Sequence, residues 1–342
     1  MKKHANIPIF IPHLGCPNQC VFCNQKTISG TNSFDITKVD EQIKSALSTI
    51  SFEQEAEIAF FGGSFTGIDR TLMISLLDIA KHYIDSGSIS SIRLSTRPDY
   101  IDNEILDILK KYGVKTIELG LQSISDDVLL ASKRGHTSLD AENACRMIVD
   151  AGFSLVGQMM IGLPGSTLKK ELETADFIIR SGAVSARIYP TVVFYDTELC
   201  NMAIDGIYTP ISLDEAIERS CKVFGRFVES DVNVIRIGLC SQDNLYRDDT
   251  YFSGPNHPAL GELVEGEYIY LKTREMLINS EDTTNAYNYL HIQVAQGMLS
   301  RAIGQNRKNK IRLADEFSLT DIIYSENVSL DKYEIKIDLE RK

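Results

Sequence analysis

Short apolar runs rich in β-branched residues alternate with amphipathic stretches from Asn6 to about Leu239. That order commits most of the chain to a parallel sheet with crossover helices. The spacing predicts strands at residues 7–11, 57–61, 91–95, 116–119, 155–161 and 186–193. Between them lie stretches such as Arg70–Asp85, where Met73, Leu76, Leu77, Ala80, Tyr83 and Ile84 share one helical face. Six such units make an α/β fold, a partial (βα)6 TIM-type barrel, although a doubly wound open sheet has the same alternation. After Leu239 the sequence turns polar and turn-rich, with Ser241, Gln242, Asp243 and Asn244 followed by Ser253, Gly254, Pro255 and Asn256. A division follows: a barrel over residues 1–240 and a small C-terminal α+β extension over 241–342, a candidate substrate- or RNA-binding unit.

The 342 residues are 43% hydrophobic and 24% charged, an ordinary globular balance. A formal charge of -12 opposes loose, whole-surface attraction to nucleic acid or an anionic membrane, while leaving room for a local basic patch. No run approaches membrane-spanning length, and the first apolar stretch is interrupted by Pro8 and Pro12. Seven cysteines fall as one tight triplet and four singles, Cys145, Cys200, Cys221 and Cys240, which is not a disulfide framework and predicts a reducing, cytoplasmic setting. Cys145 and Cys221 lie on apolar helical faces and read as core. Cys200 and Cys240 have no close partner in sequence, so no second metal site is expected.

Cys16, Cys20 and Cys23 place three thiolates within eight residues, too close for unstrained disulfides among themselves. Soft ligands at this spacing suit an iron-sulfur cluster or zinc. Zinc would need a fourth ligand, for which His4 and His13 are near in sequence. A cubane held by three cysteines leaves one iron open to a ligand. Several predicted strands run into loops of functional type: residues 12–16, Gly62-Gly63-Ser64, Gln122-Ser123 and Gly162-Leu163-Pro164-Gly165. In a barrel these loops gather at the C-terminal end of the strands.

The Cys-x-x-x-Cys-x-x-Cys loop after a first strand, with Phe22 before its last cysteine, resembles the signature of the radical S-adenosylmethionine superfamily. The resemblance implies a 4Fe-4S cluster on Cys16, Cys20 and Cys23, with S-adenosylmethionine on its open iron. It also implies a low-potential electron donor of flavodoxin or ferredoxin type, and reductive cleavage to a 5'-deoxyadenosyl radical. Gly62-Gly63-Ser64 stands where that superfamily has Gly-Gly-Glu, which binds the methionine amino group; Ser64 departs from it by carrying no charge. Arg134 and Gln122 match cofactor-contacting positions of the related oxygen-independent coproporphyrinogen oxidases. By that resemblance Arg134 pairs with the methionine carboxylate and Gln122 bonds the sugar region. Ser95 and Gln158 fall at two further ribose-facing positions, where relatives often carry acidic or imidazole groups. His136 reads as a solvated or structural loop histidine. No catalytic acid or base is identified.

Further matches resemble the radical domain of the elongator catalytic subunit family: Phe61-Gly62-Gly63-Ser64-Phe65, Thr96-Arg97-Pro98-Asp99-Tyr100, Glu118-Leu119-Gly120-Leu121-Gln122-Ser123, Ile188-Tyr189-Pro190-Thr191 and the stretch from His257 to Glu265. That family is associated with modification of wobble uridine, so tRNA is the partner this implies. Its acetyltransferase domain and cysteine-rich zinc loop have no counterpart here, and an acetyl-CoA-dependent reaction does not carry over. Arg301, Arg307, Lys308, Lys310 and Arg312 could meet phosphates, and Gly304 opens a segment resembling the loop of KH-type RNA-binding modules, without that loop's second glycine. A solvated basic helix is the plainer reading. The rival functions are radical chemistry on a small, tetrapyrrole-like metabolite and a non-enzymatic zinc or iron-sulfur module.

Overall fold

The computed structural model describes residues 3–11, 14, 16, 20–24, 34–51, 54–239, 249–280 and 289–340. Pro12, His13, Gly15, Cys240 and the turn from Ser241 to Asn244 lie outside them. The main sheet comprises β1 (Lys3–Ile11), β2 (Gln54–Gly62), β3 (Ser91–Thr96), β4 (Val114–Gln122), β5 (Ser154–Ile161), β6 (Ser185–Pro190) and, beyond the two-residue β7 (Val193–Phe194), β8 (Asn233–Ile237). Its strands pair in parallel in the order β1-β2-β3-β4-β5-β6-β8. This is the partial barrel, with a seventh strand beyond the six predicted. β8 is five residues long and ends the sheet, and Asn233 and Ile235 are exposed, so it lacks the dense apolar run that marks an inner strand. Pro190 has no N–H to continue a ladder, which is why the run expected to reach residue 193 breaks into β6 and β7.

Helices α1 (Val39–Thr49), α2 (Arg70–Asp85), α3 (Asn103–Lys111), α4 (Asp126–Ala131), α5 (Ser138–Asp150), α6 (Leu168–Arg180), α7 (Glu198–Ile204) and α8 (Leu213–Glu229) connect or flank the strands. Side-chain caps fix several starts: Asp69, Asp102, Thr167 and Ser212 each accept from a first-turn N–H, and Thr137 with Asp140 forms a capping box. Such a cap stabilises a helix by about 1 kcal/mol. Strand periodicity sorts the sheet into two faces. Ile7, Ile9, Ile58, Phe60, Ile92, Leu94, Ile117, Leu119, Leu155 and Ile188 enter the core shared with the helices. The alternate residues, Glu57, Arg93, Ser95, Glu118, Gln158 and Arg187, line the opposite, concave face.

Beyond β9 (Tyr251–Ser253), helix α9 (Leu260–Ile278) gives Leu260 and Val264 to the barrel core and Ile269, Tyr270 and Leu277 to a second core. That second core belongs to β10 (Tyr289–Ala295), α10 (Leu299–Ile303), α11 (Lys308–Phe317), β11 (Asp321–Asn327) and β12 (Ile335–Glu340), with β10 central, parallel to β11 and antiparallel to β12. The extension is therefore α+β, and one helix ties it to the barrel. Three of the five basic residues in the segment 300–312 are ion-paired inside the chain: Arg301 with Glu265, Lys310 with Asp321, and Arg312 with Glu267 while it covers the Tyr270 ring at 3.6 Å. Arg307 and Lys308 are exposed. Among the described residues, no helix is long and apolar enough to cross a membrane.

Candidate functional site

β1 and β2 end side by side, and there the glycine pair admits the cysteine segment. A Cβ on Gly62 would lie 2.6 Å from the Ile11 carbonyl oxygen, and one on Gly63 2.0 Å from that of Leu14. The close approach these glycines permit is thus to the segment leading to Cys16. Gly63→Ala is expected to cost about 1–3 kcal/mol of stability, because the obstacle is backbone that cannot rotate aside. Thermal unfolding would show the loss, and iron loading should fall with it; a variant as stable and as readily loaded as wild type would contradict this packing. Ser64 is buried, with its hydroxyl 3.5 Å from the Cys16 sulfur.

Cys20 is reached from the other side by Arg134, whose Nη1 lies 3.4 Å from the sulfur while Nη2 donates to the Gly120 carbonyl at 2.6 Å. The Val21 N–H bonds Ser132 O and the Leu199 N–H bonds Val21 O, so the cysteine segment is stitched to the turn carrying Arg134 and to α7. Phe22 packs into the small apolar cluster of Val21, Val193, Leu199, Cys200 and Tyr208. Cys23 is partly exposed. Among the described residues, no three Cys, His, Asp or Glu side chains converge as a metal set. Cys16 and Cys20 nevertheless lie close enough to Arg97 for their thiolate forms to act on it electrostatically.

Arg97 and Arg134 were 37 residues apart in the sequence and meet here, Arg97 donating through Nη2 to the Arg134 carbonyl oxygen. Asp99 grips Arg97 with two bonds of 2.9 Å. Burial works against the Arg97 charge, but the Asp99 carboxylate outweighs it and raises the Arg97 pKa, with thiolates at Cys20 and Cys16 acting in the same direction. Arg97 Nη1, Arg134 Nε and Gln122 Oε1 are buried without a well-formed partner, and the His136 ring is buried against the Leu121 backbone. Each such atom costs about 1–3 kcal/mol unless something pairs with it. Gln122 also sits at φ 68°, on a bulge where β4 slips against β5. Backbone strain of this kind concentrates at functional sites.

His136 is buried, not solvated. Burial, then the Arg134 and Arg97 charges, push its pKa down to about 4 from 6.5. Between those values the unfolded chain binds the proton that the folded chain refuses, so stability falls as pH drops. Urea unfolding of the iron-free protein should show about 2 kcal/mol lost through this group between pH 7 and pH 5, and His136→Gln should remove that part of the slope. An unchanged slope in the variant would contradict the assignment. Burial also raises the thiols of Cys145 and Cys221 to about 12, so both are inert core residues.

Deeper in the concave face, Gln158 Nε2 donates to Glu118 at 2.8 Å and lies 3.4 Å from the Ser95 hydroxyl. Two arginines hold the same Glu118: Arg93 Nη1 and Arg187 Nη2 each donate to it at 2.9 Å. On the far rim the Gly162 N–H donates to Glu171 at 2.7 Å and Tyr208 donates to Gly162 O at 2.7 Å, fixing the Gly162-Leu163-Pro164-Gly165 turn.

Two family descriptions match the chain: the Radical SAM superfamily over residues 10–178 and the Radical_SAM C-terminal domain over residues 184–269. The chain belongs to the radical S-adenosylmethionine superfamily. It is an enzyme of that class. An uncharacterized protein of Methanocaldococcus jannaschii is 28% identical over 232 residues, 64% of this chain and 71% of that protein. The tRNA uridine(34) acetyltransferase of the same organism is 34% identical over 128 residues, 36% of this chain. Elongator complex protein 3 of Saccharomyces cerevisiae is 28% identical over 48% of this chain. The chain spans 24% of that acetyltransferase and 29% of that elongator protein. In fold it is similar to the archaeal Elp3 of Methanocaldococcus infernus, with a TM-score of 0.63 at 21% identity, over 80% of this chain and 64% of that one.

The residues present fit the superfamily's cofactors. Cys16, Cys20 and Cys23 are the soft thiol donors such a cluster would use, guanidiniums stand beside two of them, and the unpartnered donors and acceptors of Arg97, Arg134 and Gln122 suit a zwitterionic, hydroxyl-rich ligand. Arg97, His136 and Glu118 were not assigned to the site from the sequence. The signal for Arg97 was its place in Thr96-Arg97-Pro98-Asp99, a cation and an anion flanking the proline that ends a strand.

Proposed function

We propose that this radical S-adenosylmethionine enzyme holds a 4Fe-4S cluster on Cys16, Cys20 and Cys23, binds S-adenosylmethionine beside it, and modifies a base of tRNA. When bound, the cluster and S-adenosylmethionine together supply a 5'-deoxyadenosyl radical that removes a hydrogen atom from the substrate, chemistry beyond any amino-acid side chain. The chain's own part is to hold and orient. Arg134 offers its Nε–H to the methionine carboxylate, and Gln122 Oε1 accepts from the sugar. Arg97, braced by Asp99, sets a positive charge against the thiolates and so favours the more negative, reduced state of the cluster. Ser64 orients Cys16. Ser95 and Gln158 face the ribose. A flavodoxin- or ferredoxin-type donor supplies the electron, in the reducing cytoplasm.

The observation that carries this reading is the set of unpartnered buried polar atoms on Arg97, Arg134 and Gln122, with Arg134 in contact with the Cys20 sulfur. The tRNA part is supported by what the tRNA uridine(34) acetyltransferase is named for. Because Arg301, Lys310 and Arg312 are spent on internal ion pairs, Arg307 and Lys308 are the basic residues of the segment 300–312 left to meet phosphate. The test is to reconstitute the protein anaerobically with iron and sulfide, reduce it with dithionite, and measure 5'-deoxyadenosine with and without bulk tRNA. Product that rises with tRNA, together with a mass change in one tRNA nucleoside, is expected. Product indifferent to tRNA would sink the tRNA part and favour a small metabolite.

A further inference from the structure

The concave face carries a row of charges that the cofactor contacts leave unexplained. Glu57, Arg93, Glu118 and Arg187 alternate in sign across β2, β3, β4 and β6, linked by Arg93 Nε to Glu57 at 2.8 Å and by the two arginine bonds to Glu118. Ser91 donates to Glu57 at 2.7 Å, and His4 Nε2 lies 3.3 Å from it. Glu118 is the hub and is wholly buried, at 0% exposure. A carboxylate at such a position persists when it is both ion-paired and hydrogen-bonded.

The Gln158 amide is oriented by this hub. A carboxylate only accepts, so the atom facing Glu118 at 2.8 Å must be the amide nitrogen. In the strand register Gly120 lies opposite Gln158 and Glu118 opposite Val156, which sets Glu118 one inward-facing step nearer the N-terminal end of the strands. A planar amide carries its oxygen on the other branch. Oε1 is therefore on the branch that does not bond Glu118. The same geometry explains why residue 158 is neutral: a carboxylate there would oppose Glu118 across 2.8 Å, in a row whose two acids and two arginines already balance.

We propose that Glu118 is a positioning residue of the cofactor site, holding the Gln158 amide so that Oε1 accepts a hydrogen bond from a ribose hydroxyl of S-adenosylmethionine. The inference rests on the reading of the site given above. Its test is calorimetric titration of S-adenosylmethionine into the iron-loaded, oxidised protein, where binding occurs without turnover. Glu118→Gln and Gln158→Glu should each weaken binding by about tenfold, the value of one charge-assisted hydrogen bond. The double variant moves the carboxylate to position 158 and the amide to 118, restores a donor–acceptor pair, and should bind within about threefold of wild type. A merely structural role predicts the opposite, a double variant worse than either single. If Glu118→Gln does not fold, Gln158→Leu, which leaves Glu118 and its two arginines in place, should weaken binding by about tenfold, and a Gln158→Leu protein that binds like wild type overturns the proposal. A double variant no better than Gln158→Glu, or a Glu118→Gln protein that binds like wild type, overturns the role of Glu118. Failure of the wild type to bind would instead overturn the cofactor reading itself.

Discussion

Cys20→Ala is expected to purify folded and to lower 5'-deoxyadenosine formation to the level of buffer. Cys20 is a small, buried side chain at 6% exposure, and its loss removes a sulfur contact to Arg134 without opening the main core. Cys145→Ala, a deletion of equal size inside the barrel core, should reproduce whatever stability Cys20→Ala loses and leave iron content and product unchanged. The pair separates ligand from packing: iron content and 5'-deoxyadenosine are measured for both. A Cys20→Ala protein that retains four irons and forms product would remove the triplet from the chemistry.

Arg134→Ala is expected to weaken S-adenosylmethionine binding by about 10–100-fold, as loss of a hydrogen bond to a charged group does, while iron loading persists. Arg134→Lys should recover little of this. A lysine point charge cannot reach Cys20, the Gly120 carbonyl and a carboxylate together as the planar fork does. Equilibrium titration on the oxidised protein measures the effect. If Arg134→Ala binds normally but loses iron, its partner is the Cys20 sulfur alone and the carboxylate must be held elsewhere, with Arg97 next in line through its unpartnered Nη1.

The strands that the sequence exposed were those buried on one face and bounded by turn chemistry. β8 escaped because an edge strand with exposed Asn233 and Ile235 offers half a pattern. The cysteine triplet was legible because thiolate spacing is local. The Arg97–Arg134 contact was not, since it is made by the sheet placing the ends of β3 and β4 side by side. His136 sits in a polar string, Ser132-Lys133-Arg134-Gly135-His136, which reads as surface. The fold buries the arginine and histidine while Lys133 stays outside, paired with Glu198. In the tail the charges were visible, but not the acids of α9 and β11 that neutralise three of them. Glu118 and Gln158 lie on different strands, and no periodicity announces that one carboxylate will hold two arginines and an amide.

In the proposed site Cys16, Cys20 and Cys23 hold a cluster with one iron open to S-adenosylmethionine. Electron paramagnetic resonance of the anaerobically reconstituted, dithionite-reduced protein, recorded with and without S-adenosylmethionine, tests it most directly. The expected result is the signal of a reduced 4Fe-4S cluster whose line shape changes when S-adenosylmethionine is added, and loss of that change in Arg134→Ala. Stoichiometric zinc in place of iron, or a cluster signal indifferent to S-adenosylmethionine in a protein shown to be fully loaded, would contradict it.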